Sequence, residues 1–185
     1  MHLRRKWKGG AADTVKLVGA VLVLVSSCAI GALLALQVKE QEKWLKDIKT
    51  TLFLLLGELS YRQMPMPDAM ELVGIRHSGR MKDFYLGMTE ELQKKNGLSL
   101  QELWQKQALV SLKDSPLSGS QKEEFAELGL CFSETDKETR KNSLDFYLTR
   151  LEEDIVSLRE KGADKAYLCR TLGMLGGIFL LILVL

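Results

Sequence analysis

The stretch Gly74-Ile75-Arg76-His77-Ser78-Gly79-Arg80 comes nearest to a chemical motif in this chain. Its glycines and cations loosely resemble a loop whose backbone amides cradle phosphate. The lysine and the following Ser or Thr of such a loop are missing, and no strand precedes it, so nucleotide binding is not expected. His2 and His77 have no metal-ligand partner at a useful spacing. The carboxylate pairs Glu123-Glu124 and Glu152-Glu153 lie among lysines and arginines on helix-patterned segments. They read as solvated faces, because general acid–base chemistry needs a shaped, partly desolvated cleft. No catalytic residue, metal ligand, cofactor or small-molecule substrate is therefore expected, and the chain is not expected to be an enzyme.

Cys28, Cys131 and Cys169 have no CxxC spacing, and an odd, scattered set describes no disulfide framework. Buried, reduced thiols are the better reading. Val25-Ser26-Ser27-Cys28, with a basic and then an apolar region before it, has the form of a bacterial lipoprotein cleavage box. The chain stays apolar from Ala29 to Leu36, however, where a mature lipoprotein would turn polar. Retention as an anchor is the expected outcome. With 26 basic against 24 acidic residues, the charge balance suggests no nucleic-acid partner.

The elements that would position any site are set by two apolar ends. Leu17 to Leu36 is uncharged over twenty residues, and Leu172 to Leu185 over fourteen. A helix of the first length covers roughly 30 Å, the thickness of a bilayer core. The second reaches only about 21 Å, and spans better if it begins near Tyr167 with Arg170 extending its guanidinium outward. The expected organisation is a basic leader at 1–16, a transmembrane helix at 17–38, a soluble helical domain at 39–166 and a short transmembrane helix at 167–185. Small residues recur every fourth position at Ser27, Gly31 and Ala35, and at Gly173 and Gly177. Such stripes let helices approach closely in lipid.

Between the ends the apolar pattern is helical. Trp44, Ile48, Leu52, Leu55 and Leu59 form one stripe. It widens at Phe53 to Leu56, which suggests burial on more than one face. Pro65 and Pro67 end this helix, with Pro67 opening the next at its first position through roughly Val73. A third helix is expected over Arg80 to Lys95, closed by Asn96-Gly97. Capping boxes are expected at Ser99 with Glu102, Ser120 with Glu123, and Thr135 with Glu138. After the first, Leu100, Leu103, Trp104 and Leu112 give an apolar face. The last helix carries Leu144, Leu148, Leu151, Ile155 and Leu158 at heptad spacing, which suits antiparallel packing on the Trp44–Leu59 helix. The fold class is all-α, an antiparallel helical bundle flanked by two transmembrane helices.

Several segments resemble the stage III sporulation protein AB family of endospore-forming bacteria. They are Val15-Lys16-Leu17-Val18-Gly19-Ala20, Leu59-Ser60-Tyr61, Met64-Pro65-Met66-Pro67-Asp68-Ala69 and Gly97-Leu98-Ser99-Leu100-Gln101-Glu102-Leu103-Trp104. Leu128-Gly129, Thr135-Asp136, Glu160-Lys161 and Leu172-Gly173-Met174-Leu175-Gly176-Gly177 follow in order. Arg62-Gln63 departs from the pattern, which favours a small residue such as glycine there. Leu130-Cys131-Phe132 departs as well, where a polar or small residue is more usual.

The resemblance implies a membrane-anchored assembly component of the mother cell–forespore channel, similar to the platform proteins of type II secretion and type IV pilus machines. It implies as partners a secretion-type ATPase and other membrane proteins of the channel complex, and a need for the protein in late forespore gene expression. It places the candidate partner-binding residues at Met64, Pro65, Pro67, Asp68, Gly97, Ser99, Glu102 and Trp104. The residues alone also allow a membrane-anchored adaptor or lipoprotein without any machine. Two spans put both termini on one side. Five basic residues flank the outer side (Arg4, Arg5, Lys6, Lys8, Lys16) and eight the domain side (Lys39, Lys43, Lys46, Lys49, Arg159, Lys161, Lys165, Arg170). Counting both junctions favours a cytosolic domain, although the first helix alone favours the reverse by five to four; the resemblance implies the mother-cell membrane around the forespore.

Overall fold

The structure is a computed structural model. It describes residues 8–94, 97–134 and 136–184, with side chains at 18, 19, 21, 22, 25, 26, 28–94, 97–134, 136–162 and 171. Among the described residues there are six helices and no strand: α1 (Lys8–Ser60), α2 (Met66–Arg76), α3 (Lys82–Gln93), α4 (Leu100–Ser111), α5 (Gly119–Ser133) and α6 (Lys137–Val184). The chain divides into two units, Glu40–Leu158, and Met1–Lys39 with Arg159–Leu185.

In the Glu40–Leu158 unit, α1 contributes Leu45, Ile48, Leu52 and Leu55 to the core and α6 contributes Leu144, Leu148, Leu151 and Ile155. These are the two apolar stripes of the sequence. The Lys49 ammonium pairs with Glu152 across 103 residues, while Leu56, Leu59 and Ser60 share a cavity with Lys137 to Asn142. The later residues of α1 thus meet the earlier residues of α6, and the two run antiparallel. Phe53 and Leu54, expected to be buried on a second face, are exposed. Neighbouring helices cover a single stripe of α1 here, and the outward Phe53 ring receives the Lys49 ammonium 6.0 Å from its centroid.

Five aromatic rings hold the centre. Phe84 meets Tyr85, Trp104 and Phe125 edge-on at 5.2, 4.9 and 5.0 Å, and Trp104 stacks on Phe132 at 4.9 Å. Edge-to-face pairs are favoured because the positive rim of one ring meets the negative face of another. Backbones approach closely where glycine removes a side chain. A Cβ on Gly129 would fall 2.7 Å from Trp104 Cβ, and one on Gly74 would fall 2.8 Å from a Leu86 methyl.

Helix α1 ends ahead of Pro65, as expected, and the later helix ends differ from expectation in four places. Helix α1 stops at Ser60, and Gln63 adopts φ +50°. The Met64 amide then donates back to the Glu58 carbonyl at 3.2 Å, closing the chain across the left-handed turn at Gln63. Pro67 is the second residue of α2, after Met66; the first amides of a helix lack partners, so either position suits proline. Helix α2 also continues past Val73 to Arg76. Helix α3 is shorter than 80–95; Asn96 lies outside the described residues, and Gly97 turns at φ +73°. The box expected at Ser120 is formed by Ser118 and Gln121 instead. Ser118 has the extended backbone a cap requires, while Ser120 is already helical, and glutamine closes the box as well as glutamate. Thr135 lies outside the described residues, and at the start of α6 Asp136 accepts from the Thr139 amide at 2.8 Å.

In the other unit, Val18, Val21, Leu22, Val25, Ile30, Leu33, Leu34 and Leu36 of α1 are exposed, and Gly31 and Ala35 are half-buried. Val38 lies 3.3 Å from where a Cβ on Gly162 would stand. The side chains of Ser27, Gly173, Gly177 and most of 167–185 lie outside the described residues. Among the described residues no helix is long and apolar enough to cross a membrane.

Candidate interaction surface

Two short connections, 77–81 and 94–99, fold α2, α3 and α4 into antiparallel neighbours. Gly74 faces Leu86 and Lys106 pairs with Glu91 at 3.1 Å, as that arrangement requires. The start of α2 and the start of α4 therefore lie at one end of the bundle. The candidate segments Met64–Asp68 and Gly97–Glu102, thirty residues apart in sequence, share that end. The last turn of α1 and the first turns of α6 are there too, around a cavity of about 370 Å³.

Each candidate residue has a definite place. Pro65, Asp68, Gly97, Ser99 and Glu102 are exposed, Pro67 is half-buried, and Met64 packs against the core from its edge. Ser99 and Glu102 form the expected reciprocal box. The Ser99 amide donates to Glu102 Oε2 at 2.8 Å, and the Glu102 amide donates to Ser99 Oγ at 3.2 Å. These bonds, the Ser99 amide first and its hydroxyl second, hold the Glu102 carboxyl below its usual range. Trp104 belongs elsewhere. It is wholly buried, and its indole N–H donates to the Phe125 carbonyl at 2.8 Å, so its ring is core and not contact surface.

The surface is stiffly supported. Glu58, buried in the last turns of α1, accepts from Arg76 at 3.1 Å and pairs with Arg62 at 3.3 Å. This ties the last turns of α1, next to the Met64–Asp68 turn, to the last residue of α2. Tyr61 and Leu98 present exposed apolar area beside it, and Lys94, Lys137 and Lys141 supply cations. Among the described residues no three His, Cys, Asp or Glu side chains group to hold a metal. What the arrangement offers is a mixed apolar and charged face for another protein.

Sequence reasoning did not find the exposed apolar residues of α4, α5 and α6. Leu109 and Val110 follow Ala108 directly, and Phe146 falls between the seam residues Leu144 and Leu148. An apolar residue off the seam was the available signal.

The family model described as stage III sporulation protein AB matches residues 16–185. Stage III sporulation protein AB of Bacillus subtilis (strain 168) is 22% identical over 171 residues, 92% of this chain and 99% of that protein. No solved structure matches the chain.

Proposed function

This chain belongs to the stage III sporulation protein AB family, and from that membership we propose that it is a membrane-anchored structural component of the channel assembly between mother cell and forespore. Its role in sporulation follows from the family. Its place in a secretion-like machine, where it couples a cytosolic secretion-type ATPase to the membrane complex, is our reading. The observation that carries the reading is the extent of the match, which takes in both apolar ends together with the helical unit. The uncovered Val18, Leu22, Val25, Leu33 and Leu36 side chains of α1 support a lipid-facing anchor, since exposed apolar area of that extent marks a membrane or partner surface.

In this reading the protein works as a scaffold and not as a catalyst. The tether fixes the helical unit at the mother-cell membrane around the forespore, and the face around Met64–Asp68 and Gly97–Glu102 receives a partner. Counted over both membrane junctions together, the basic residues support a cytosolic position for the unit, within reach of the ATPase.

Affinity purification of the tagged full-length chain from detergent-solubilised membranes of sporulating cells tests this. Recovery of a secretion-type ATPase is expected, with reduced recovery for the surface variant Asp68→Lys. Purification of the chain without any such ATPase refutes the coupling role. Placement is tested separately, through labelling of Lys122→Cys by an impermeant reagent. Protection in intact mother cells is expected, and modification overturns the cytosolic assignment.

A further inference from the structure

Two uncovered apolar patches of the Glu40–Leu158 unit carry opposite charge. On α4, Leu109 is 73% and Val110 66% exposed, although the opposite face of the same helix buries Leu103, Trp104 and Ala108. Lys106 stands one turn before them, at helix-neighbour spacing. Lys113 follows just past the helix end and lines the same shallow cavity as Leu109. Together they make an apolar ridge along α4 with a cation at each end.

The second patch is concave. A groove of about 520 Å³ between α5 and α6 is lined by Leu128, Cys131, Phe146 and Tyr147, with Glu124 and Glu127 on its α5 wall. Phe146 is 71% exposed at the groove, and Leu130 on α5 is 52% exposed. Two of the charges at the patches are already balanced by partners within the unit. Glu124 is paired with Arg150 at 2.9 Å, and Lys106 with Glu91 at 3.1 Å. Glu127 and Lys113 form no ion pair among the described residues. Lys122 and Glu123 line the cavity beside Lys113, so the ridge keeps a net positive charge and the groove, through Glu127, a net negative one.

Ridge and groove are fixed on different helices of one packed unit and cannot meet within a chain. We propose that they meet between two copies, the Lys106–Lys113 ridge of one chain seated in the α5–α6 groove of another. The occupant is a second copy because the same chain supplies both halves of the fit. Burying Leu109 and Val110 against Phe146 removes three of the most exposed apolar side chains of the unit from water. The Lys113–Glu127 pair sets the register, which is the usual contribution of rim charges.

The test uses two differently tagged full-length chains, co-expressed in membranes that lack other sporulation proteins, with Cys28, Cys131 and Cys169 replaced by alanine. One copy carries Val110→Cys and the other Ser143→Cys, which lines the groove. A crosslinked pair is expected, while Val110→Cys against Glu71→Cys on the exposed face of α2 stays at background. Adding Glu127→Lys to the groove copy should lower the yield roughly tenfold, and Lys113→Glu on the ridge copy should restore it. Equal yields from the two cysteine pairs, or a yield indifferent to the charge reversals, overturn the proposal. Because no ATPase is present, the result is independent of the coupling role.

Discussion

The indole N–H of Trp104 donates to the carbonyl of Phe125 at 2.8 Å, and the two rings lie 5.5 Å apart. One residue of α4 is thereby bound to α5 by a polar and an apolar contact, with Gly129 providing the room. Replacing Trp104 by alanine empties the middle of the aromatic cluster and should cost about 3–5 kcal/mol. Gly129→Ala, which crowds the same ring, should cost roughly 1–3 kcal/mol. Chemical denaturation of the full-length chain in detergent measures both. If Trp104→Ala costs no more than Gly129→Ala, the cluster is not the centre of stability.

Gln63 offers the opposite sign. Its φ of +50° lies in the left-handed region, which costs a non-glycine residue about 1–2 kcal/mol. Glycine removes that strain but gives back roughly 0.5–1 kcal/mol in backbone entropy. Gln63→Gly should therefore stabilise by about 0.5–1 kcal/mol, and Gln63→Val should destabilise, since a β-branched side chain tolerates this region poorly. Paired melting curves decide it. A lower midpoint for the glycine variant would show that the Gln63 side chain makes a contact worth more than its strain.

How much of this was readable in the chain depends on the range of the physics involved. The stripes Ile48, Leu52, Leu55 and Leu144, Leu148, Leu151, Ile155 are periodic, and the Ser99–Glu102 box spans three residues, so local rules sufficed. Arg62-Gln63 stood out as a place for a small residue, and Gln63 is where the backbone turns left-handed. Ser118 and Ser120 each have an acceptor-bearing partner three residues on. Only the extended backbone at Ser118, set by how the preceding turn packs, chooses between them. The meeting of Met64–Asp68 with Gly97–Glu102 is a consequence of two hairpin connections and has no sequence signal. Nor has the role of Phe84, whose neighbours Trp104 and Phe125 come from two other helices.

Two caps make stability depend on acid. Glu102 has its carboxyl lowered from an ordinary 4.5, chiefly by the Ser99 amide. Asp136 is lowered from 3.8 by the Thr139 hydroxyl and then its amide. A carboxyl with a depressed folded pKa stabilises fully above its unfolded value, and that contribution is lost as pH falls through the folded one. Stability should thus decline on acidification below the ordinary carboxylate range. Glu102→Gln and Asp136→Asn keep an acceptor but do not titrate, so the double variant should show a smaller loss of melting temperature between about pH 6 and pH 3. An unchanged acid limb would assign the decline to other carboxylates.

The contact between α1 and α6 separates apolar from ionic contributions. Leu151 is almost wholly buried in the seam, whereas the neighbouring Lys49–Glu152 pair is partly open to water. A carboxylate at position 151 must be neutralised or must drag water into the core, so Leu151→Asp should cost at least about 3 kcal/mol. An exposed ion pair contributes little after screening and side-chain entropy, so Lys49→Ala should cost no more than about 1 kcal/mol. Denaturation of both variants, at low and at high salt, compares them directly. Comparable losses that shrink with salt would mean that charge, and not the leucine stripe, holds the two long helices together.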